Sequence, residues 1–203
     1  MSTTENRILE ISKLEFLERG FQGTSMRRIA GLAGVTTGAL YGYFASKEEI
    51  FDSLVKNSYE AVMNAYKAAH IEFAALPFKQ QIEGMGTITA RCVDWCTDYI
   101  YDHFDDFRLI LMCSEGTRYS NMVDEMMKIE EQSTEDFVNL MRANGMDIPH
   151  IDPLLEHMIT SGYFTSFFEV VRHSVPRDEA KDYIQNLQAF YRAGWECLFG
   201  MRL

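Results

Sequence analysis

The side chains with the widest chemical reach in this 203-residue chain are four cysteines, five histidines and scattered acids. Cys92 and Cys96 stand four apart, on one face of any helix that carries them, and Cys113 follows nearby. A thiol pair at that spacing suits a soft metal or an oxidant sensor, because the thiolate is both ligand and nucleophile. Beside Trp95 and Tyr99 the same cysteines equally suit packing, the commoner use of a buried thiol. His70, His103, His150, His157 and His173 show no metal-ligand spacing. Glu169, among Phe167, Phe168 and Val170, is either a buried acid or half of an ion pair. There is no Gly-rich phosphate loop, no G-x-S-x-G and no H-E-x-x-H. No catalytic residue, metal ligand or cofactor is therefore assigned, and the chain is not expected to be an enzyme.

The elements that must position any site are helical. Apolar residues recur at helical spacing and almost nowhere alternate, which predicts an all-α fold. Four prolines beside 12 Met and 14 Phe favour long helices over a β-sandwich. A first helix is predicted from about Thr4 to Arg19, with Gly20 as its stop. Thr24 or Ser25 can cap a short helix with Met26, Ile29, Ala30 and Ala33 inward. Gly34 permits a tight turn, and Thr36 can cap a second short helix ending near Phe44, with Ala39, Leu40 and Phe44 inward. Ser46-Lys47-Glu48-Glu49 is a capping box opening a longer helix. Two short helices joined by a Gly turn are the pattern of a helix-turn-helix.

Beyond Pro77, long helices are predicted over Lys79–His103, Asn121–Asn144, Asp152–His173 and Pro176–Phe199, with a shorter one over His103–Cys113. No apolar run approaches the roughly 18 residues that span a bilayer, and the first residues lack a basic-then-apolar export signal. No membrane partner is expected, and the expected location is the cytoplasm. The net charge of −11 argues at first against nucleic acid as a partner. Its distribution changes that inference: residues 1–50 carry six basic and six acidic groups, whereas 51–203 carry 13 basic against 24 acidic. The asymmetry predicts two modules with different partners.

The stretch from Gly20 to Glu49 holds an Ile29-Ala30-x-x-Ala33-Gly34-Val35 turn, a Gly38-x-Leu40-Tyr41-x-Tyr43-Phe44 helix and the Ser46-Lys47-Glu48-Glu49 cap. At that spacing, continuous from about Ile8 to Leu54, it resembles the DNA-binding domain of TetR-family transcriptional regulators. The resemblance implies an N-terminal three-helix helix-turn-helix domain over residues 1–50 and a larger helical ligand-binding and dimerisation domain over 51–203. It places phosphate contacts at Thr24 or Ser25, Tyr43 and Lys47. Residue chemistry adds to this: Thr37, Gly38, Tyr41 and Gly42 would give the second short helix a small or polar outward face, suited to a major groove. The DNA-contact set is Thr24, Ser25, Arg27, Thr36, Thr37, Gly38, Tyr41, Tyr43 and Lys47. Many relatives carry Lys or Arg where Thr37 stands, so one basic contact is missing here.

The same resemblance implies a pocket for a small-molecule effector in the second domain. The aromatic and Met content nominates Trp95, Tyr99, Phe104, Met112, Tyr119, Met122, Met126, Tyr163 and Phe167 as its lining, although each also fits a helical core. Polar partners there are Glu115, Arg118 or His157. The apolar faces of the last two helices exceed what one core needs, and Gly162 and Gly194 allow close approach. They are the expected homodimer interface, and double-stranded operator DNA is the expected partner.

Overall fold

The computed structural model describes residues 3–201. Among them lie ten α-helices and one 3₁₀ turn, and no strand. The helices are α1 (Thr3–Gly23), α2 (Met26–Leu32), α3 (Thr37–Tyr43), α4 (Lys47–Ala74), α5 (Phe78–Glu83), α6 (Thr87–Asp102), α7 (Phe104–Met112), α8 (Met122–Ala143), α9 (Pro153–Arg172) and α10 (Arg177–Leu198). The 3₁₀ turn, Arg118–Asn121, leads into α8. No helix among the described residues is long and apolar enough to cross a membrane.

The expected start signals act as caps. Ser25 accepts from Arg28 N, Thr36 from Ala39 N, and Asp152 from Leu154 N. Gly20 is left-handed (φ 71°) and breaks α1, although helical turns continue to Gly23. The long helix expected over Lys79–His103 is instead two. Gly84 closes α5, and Gly86, at φ 84°, precedes α6. The left-handed backbone at Gly86 cannot continue a right-handed helix, so the apolar periodicity on either side does not carry through.

The chain forms two compact units. The first holds the chain through Ala61 together with His103–Met122, so α7 and the 3₁₀ turn fold with the N-terminal helices. The second holds Val62–Asp102 and everything from Val123. Helix α4 contributes residues 47–61 to the first and 62–74 to the second.

In the first unit Phe51 is fully buried, with its ring 5.1 Å from Phe16 and 5.4 Å from Phe21. Ile8, Ile29, Leu40, Ile50 and Phe107 complete that core. Polar ties fasten α7 to it: Lys13 pairs with Asp105 at 3.1 Å, Ser58 Oγ donates to Asp106 at 2.7 Å, and Phe21 N donates to the Cys113 carbonyl at 2.8 Å. In the second unit Phe137, Met141, Ile148 and Phe199 form a buried cluster against Phe73 and Trp195. Arg177 there bridges Asp98 and Asp102, and Tyr101 Oη donates to the Val175 carbonyl at 2.7 Å. Glu169 is an ion-pair acid, 2.8 Å from His173 and 3.7 Å from Arg172.

Candidate functional site

Helices α2 and α3 are held by their inner faces, which leaves the outer face of α3 free. Ile29, Ala30 and Ala33 are buried on α2, and Leu40 is the buried residue of α3. Between them Val35 N donates to the Ala30 carbonyl at 3.0 Å and Gly34 N to the Gly31 carbonyl at 3.3 Å. That pair of bonds is a Schellman stop, and it needs a left-handed residue, supplied by Gly34 at φ 65°. Thr36, Thr37, Gly38, Tyr41 and Gly42 are all exposed, with Tyr41 at 53% and Tyr43 at 42%. Ala39, expected inward, is exposed as well, because Leu40 alone reaches the core from this short helix.

A Cβ built at Gly38 or Gly42 would meet no atom of the protein within 4 Å. Glycine in a helix costs about 1 kcal/mol relative to alanine. Packing within the protein therefore gives no reason for either residue. A surface that must let another molecule come close to the backbone does.

Several residues nominated for phosphate contact are engaged inside the unit. Thr24 is 3% exposed, and its hydroxyl donates to the Gly20 carbonyl at 2.9 Å, so its side chain is not available to DNA. Lys47 Nζ donates to the carbonyls of Phe21 (2.6 Å) and Thr24 (2.9 Å) and lies 4.1 Å from the centre of the Phe21 ring. It closes the end of α1. Ser46 Oγ accepts from Glu49 N at 3.2 Å, while the Glu49 carboxylate reaches Ala45 N rather than Ser46 N. The start of α4 thus already carries acids of its own. Arg28 is bidentate on the buried Glu15, and its guanidinium pKa is raised, chiefly by that hydrogen bond. Ser25 and Arg27 are exposed, and Arg27 has no ion pair among the described residues.

The second unit encloses a cavity of about 360 Å³ built from α4, α6, α8, α9 and α10. Its wall is mainly apolar and includes the rings of Tyr66, Phe73, Tyr163, Phe164, Phe167 and Trp195, with Met126, Cys92 and Cys96. The polar part centres on Glu130. His70 Nε2 lies 3.3 Å from Glu130 Oε2, and Tyr66 Oη donates to the same oxygen. Burial works against a charge on Glu130, but the hydrogen bond and charge of His70 and the Tyr66 hydroxyl outweigh it and hold the carboxyl below its usual value. Burial, and then the Glu130 charge, push the Tyr66 phenol well up. Cys92 and Cys96 have their sulfurs 4.0 Å apart, and that contact pulls the Cys92 thiol down. Among the described residues no three His, Cys, Asp or Glu side chains are grouped to hold a metal. Gln188 also lines the cavity, with its Nε2 buried and unpartnered. A buried donor without an acceptor is costly unless something else supplies one.

The family model described as "Bacterial regulatory proteins, tetR family" matches residues 8–54. Residues 8–54 are therefore of the TetR type. The matched TetR-family stretch runs from α1 into α4 and takes in the whole of α2 and α3. Curated relatives include the transcriptional repressor KstR2 of Rhodococcus jostii, 24% identical over 63% of this chain and 62% of the relative. The regulator UidR of Escherichia coli is 24% identical over 78% of this chain and 74% of its own length. The chain therefore spans less than two thirds of the Rhodococcus relative. A solved structure, the ketosteroid transcriptional regulator KstR2 of Mycobacterium tuberculosis, superposes with a TM-score of 0.54 at 20% identity, covering 93% of this chain and 95% of that one. It shares the fold: a TetR-type helix-turn-helix domain followed by a helical domain.

Of the residues nominated for a TetR-type effector pocket, Met126, Tyr163 and Phe167 line the cavity. The other six do not. Phe104, Met112, Tyr119 and Met122 belong to the first unit, where Tyr119 Oη is tied to Asp52 and Arg118. Trp95 and Tyr99 stack on each other at 5.0 Å, and the indole is exposed. Of the polar nominees, Arg118 pairs with Asp52 and His157 with Glu131, so neither reaches the cavity, nor does Glu115. His70, Glu130, Tyr66 and Gln188 were not among the nominated residues. Tyr66, His70 and Phe73 do recur at i, i+4, i+7 along α4, and that stripe was the available signal.

Proposed function

We propose that the chain is a ligand-responsive transcriptional regulator, not an enzyme, whose homodimer sets two copies of α3 on a twofold-symmetric operator in the cytoplasm. Residues 1–50 serve as the DNA-binding domain and 51–203 as the ligand-binding and dimerisation domain. The observation that carries the reading is the outer face of α3: Thr37, Gly38, Tyr41 and Gly42 are exposed, and no contact within the protein explains the two glycines. Thr36 and Thr37 offer hydroxyl and methyl groups to base edges, and Tyr41 and Tyr43 extend across the flank. Ser25 and Arg27 supply phosphate contacts, whereas Lys47 and Thr24 hold the motif together rather than touch DNA.

The cavity takes the effector, and repression relieved by ligand is the mode proposed. Helix α4 is the connecting element. Its Val62, Tyr66, His70 and Phe73 line the cavity, and its Lys47 closes the helix that precedes α2. A ligand that displaces α4 alters the separation of the two heads, which must match major grooves about 34 Å apart. A coupling of about 1–3 kcal/mol lowers operator affinity about 5- to 150-fold.

The test is selection of random duplexes by the purified protein, followed by sequencing. Enrichment of one inverted repeat, with half-sites about one helical turn apart, is expected. Recovery of unenriched sequence after several rounds contradicts the reading.

A further inference from the structure

The cavity's charge narrows the effector's chemistry, an inference that rests on the cavity being the effector site. Glu130 is the only acid among the described residues of its wall, and its contacts with Tyr66 and His70 both fall on Oε2. An ionised carboxylate has acceptor capacity on both oxygens. Outside the wall, burial and the charges of Glu131, Glu135 and Glu130 raise the Glu156 pKa. Against this, the wall offers one permanent cation among the described residues, Arg192. Its guanidinium is more than half exposed and tied to Glu196 at 3.0 Å. His70 is already spent on Glu130 Oε2.

The aromatic groups fit the same sign of charge. Tyr66 and Phe164 meet edge to face at 6.0 Å, Tyr163 and Phe164 at 5.4 Å, and Tyr163 and Phe167 stack at 6.4 Å. All four rings line the cavity beside Glu130. Ring faces carry negative quadrupole density and attract cations, most strongly where water is excluded. We propose that the effector is a hydrophobic amine, its ammonium set against Glu130 Oε1 among Tyr66, Tyr163, Phe164 and Phe167, its apolar body along the rest of the wall. An anionic ligand of the same shape faces Glu130, and the cations His70 and Arg192 in the wall are each already paired with a carboxylate.

Three probes with one body and different ends test this: 4-phenylbutylamine, 4-phenylbutanol and 4-phenylbutanoate, titrated calorimetrically into the full-length protein. The amine should bind about tenfold or more tighter than the alcohol, and the alcohol tighter than the acid. In Glu130→Gln the amine should fall to the alcohol's affinity while the alcohol holds its own. The wild-type ranking stands by itself if that variant folds poorly, which its thermal melt reports. An alcohol or acid that binds the wild type as tightly as the amine overturns the amine assignment and leaves the cavity as the effector site. Failure of all three to bind overturns both. An amine preference that survives in folded Glu130→Gln removes Glu130 from the role.

Discussion

Gly38→Ala should cost about 1–3 kcal/mol of operator affinity, the worth of one base-pair contact, while leaving the protein at least as stable as before. The two halves of that expectation have separate causes. Within the protein, the new methyl meets no atom within 4 Å, and alanine is the better helix former by about 1 kcal/mol. A melting temperature unchanged or slightly raised is therefore expected. On the outer face of α3 the methyl stands where the reading puts the major groove, between Thr37 and Tyr41. Thermal melting and fluorescence-anisotropy titration of the selected duplex report the two halves independently. Unchanged affinity would remove α3 from the interface. A lowered melting temperature would mean that Gly38 serves the fold.

Phe190→Glu should abolish the dimer. Phe190 is 73% exposed on α10, with Tyr183 exposed on the same stripe seven residues earlier. On α9, Leu154, Leu155 and Met158 are exposed within one turn. Single exposed apolar residues are ordinary, but five on two adjacent helices call for a cover. In a twofold interface each substitution counts twice, so a hot-spot loss of about 2 kcal/mol becomes about 4 kcal/mol per dimer. The glycines differ from what their spacing suggested. A Cβ at Gly162 would lie 2.8 Å from Tyr191 Oη, so that glycine seats a ring of its own chain, whereas Gly194 meets nothing and stays open to a partner. Sedimentation velocity should show wild-type dimers and Phe190→Glu monomers. The monomers should bind operator weakly, because one head lacks the roughly 10²- to 10⁴-fold gain of two linked contacts. A variant that stays dimeric would place the interface elsewhere.

The helix-turn-helix was legible in the sequence because local chemistry fixes it. The Ser25 and Thr36 caps, the Gly34 turn and the Leu40 anchor each act within a few residues, and all stand in the structure where they were expected. What Lys47 does was not legible, because its acceptors, the carbonyls of Phe21 and Thr24, lie more than twenty residues earlier and are brought near only by folding. The break at Gly84–Gly86 was hidden by apolar spacing that continues on both sides. The cavity was the least legible part. Aromatic and Met residues mark the interior of either unit equally well, so Tyr119 and Met122 looked like Tyr163 and Met126. Glu130 looked like one more surface acid on α8. Its meaning comes from His70 and Tyr66, about sixty residues earlier in the chain.

The most direct test of the account is a hydroxyl-radical footprint of the wild-type protein on its selected duplex. Two protected windows related by a twofold axis are expected, centred about 34 Å apart on adjacent major grooves and each weakened by Gly38→Ala. A single window, or uniform protection that ignores the inverted repeat and is unmoved by Gly38→Ala, would contradict it.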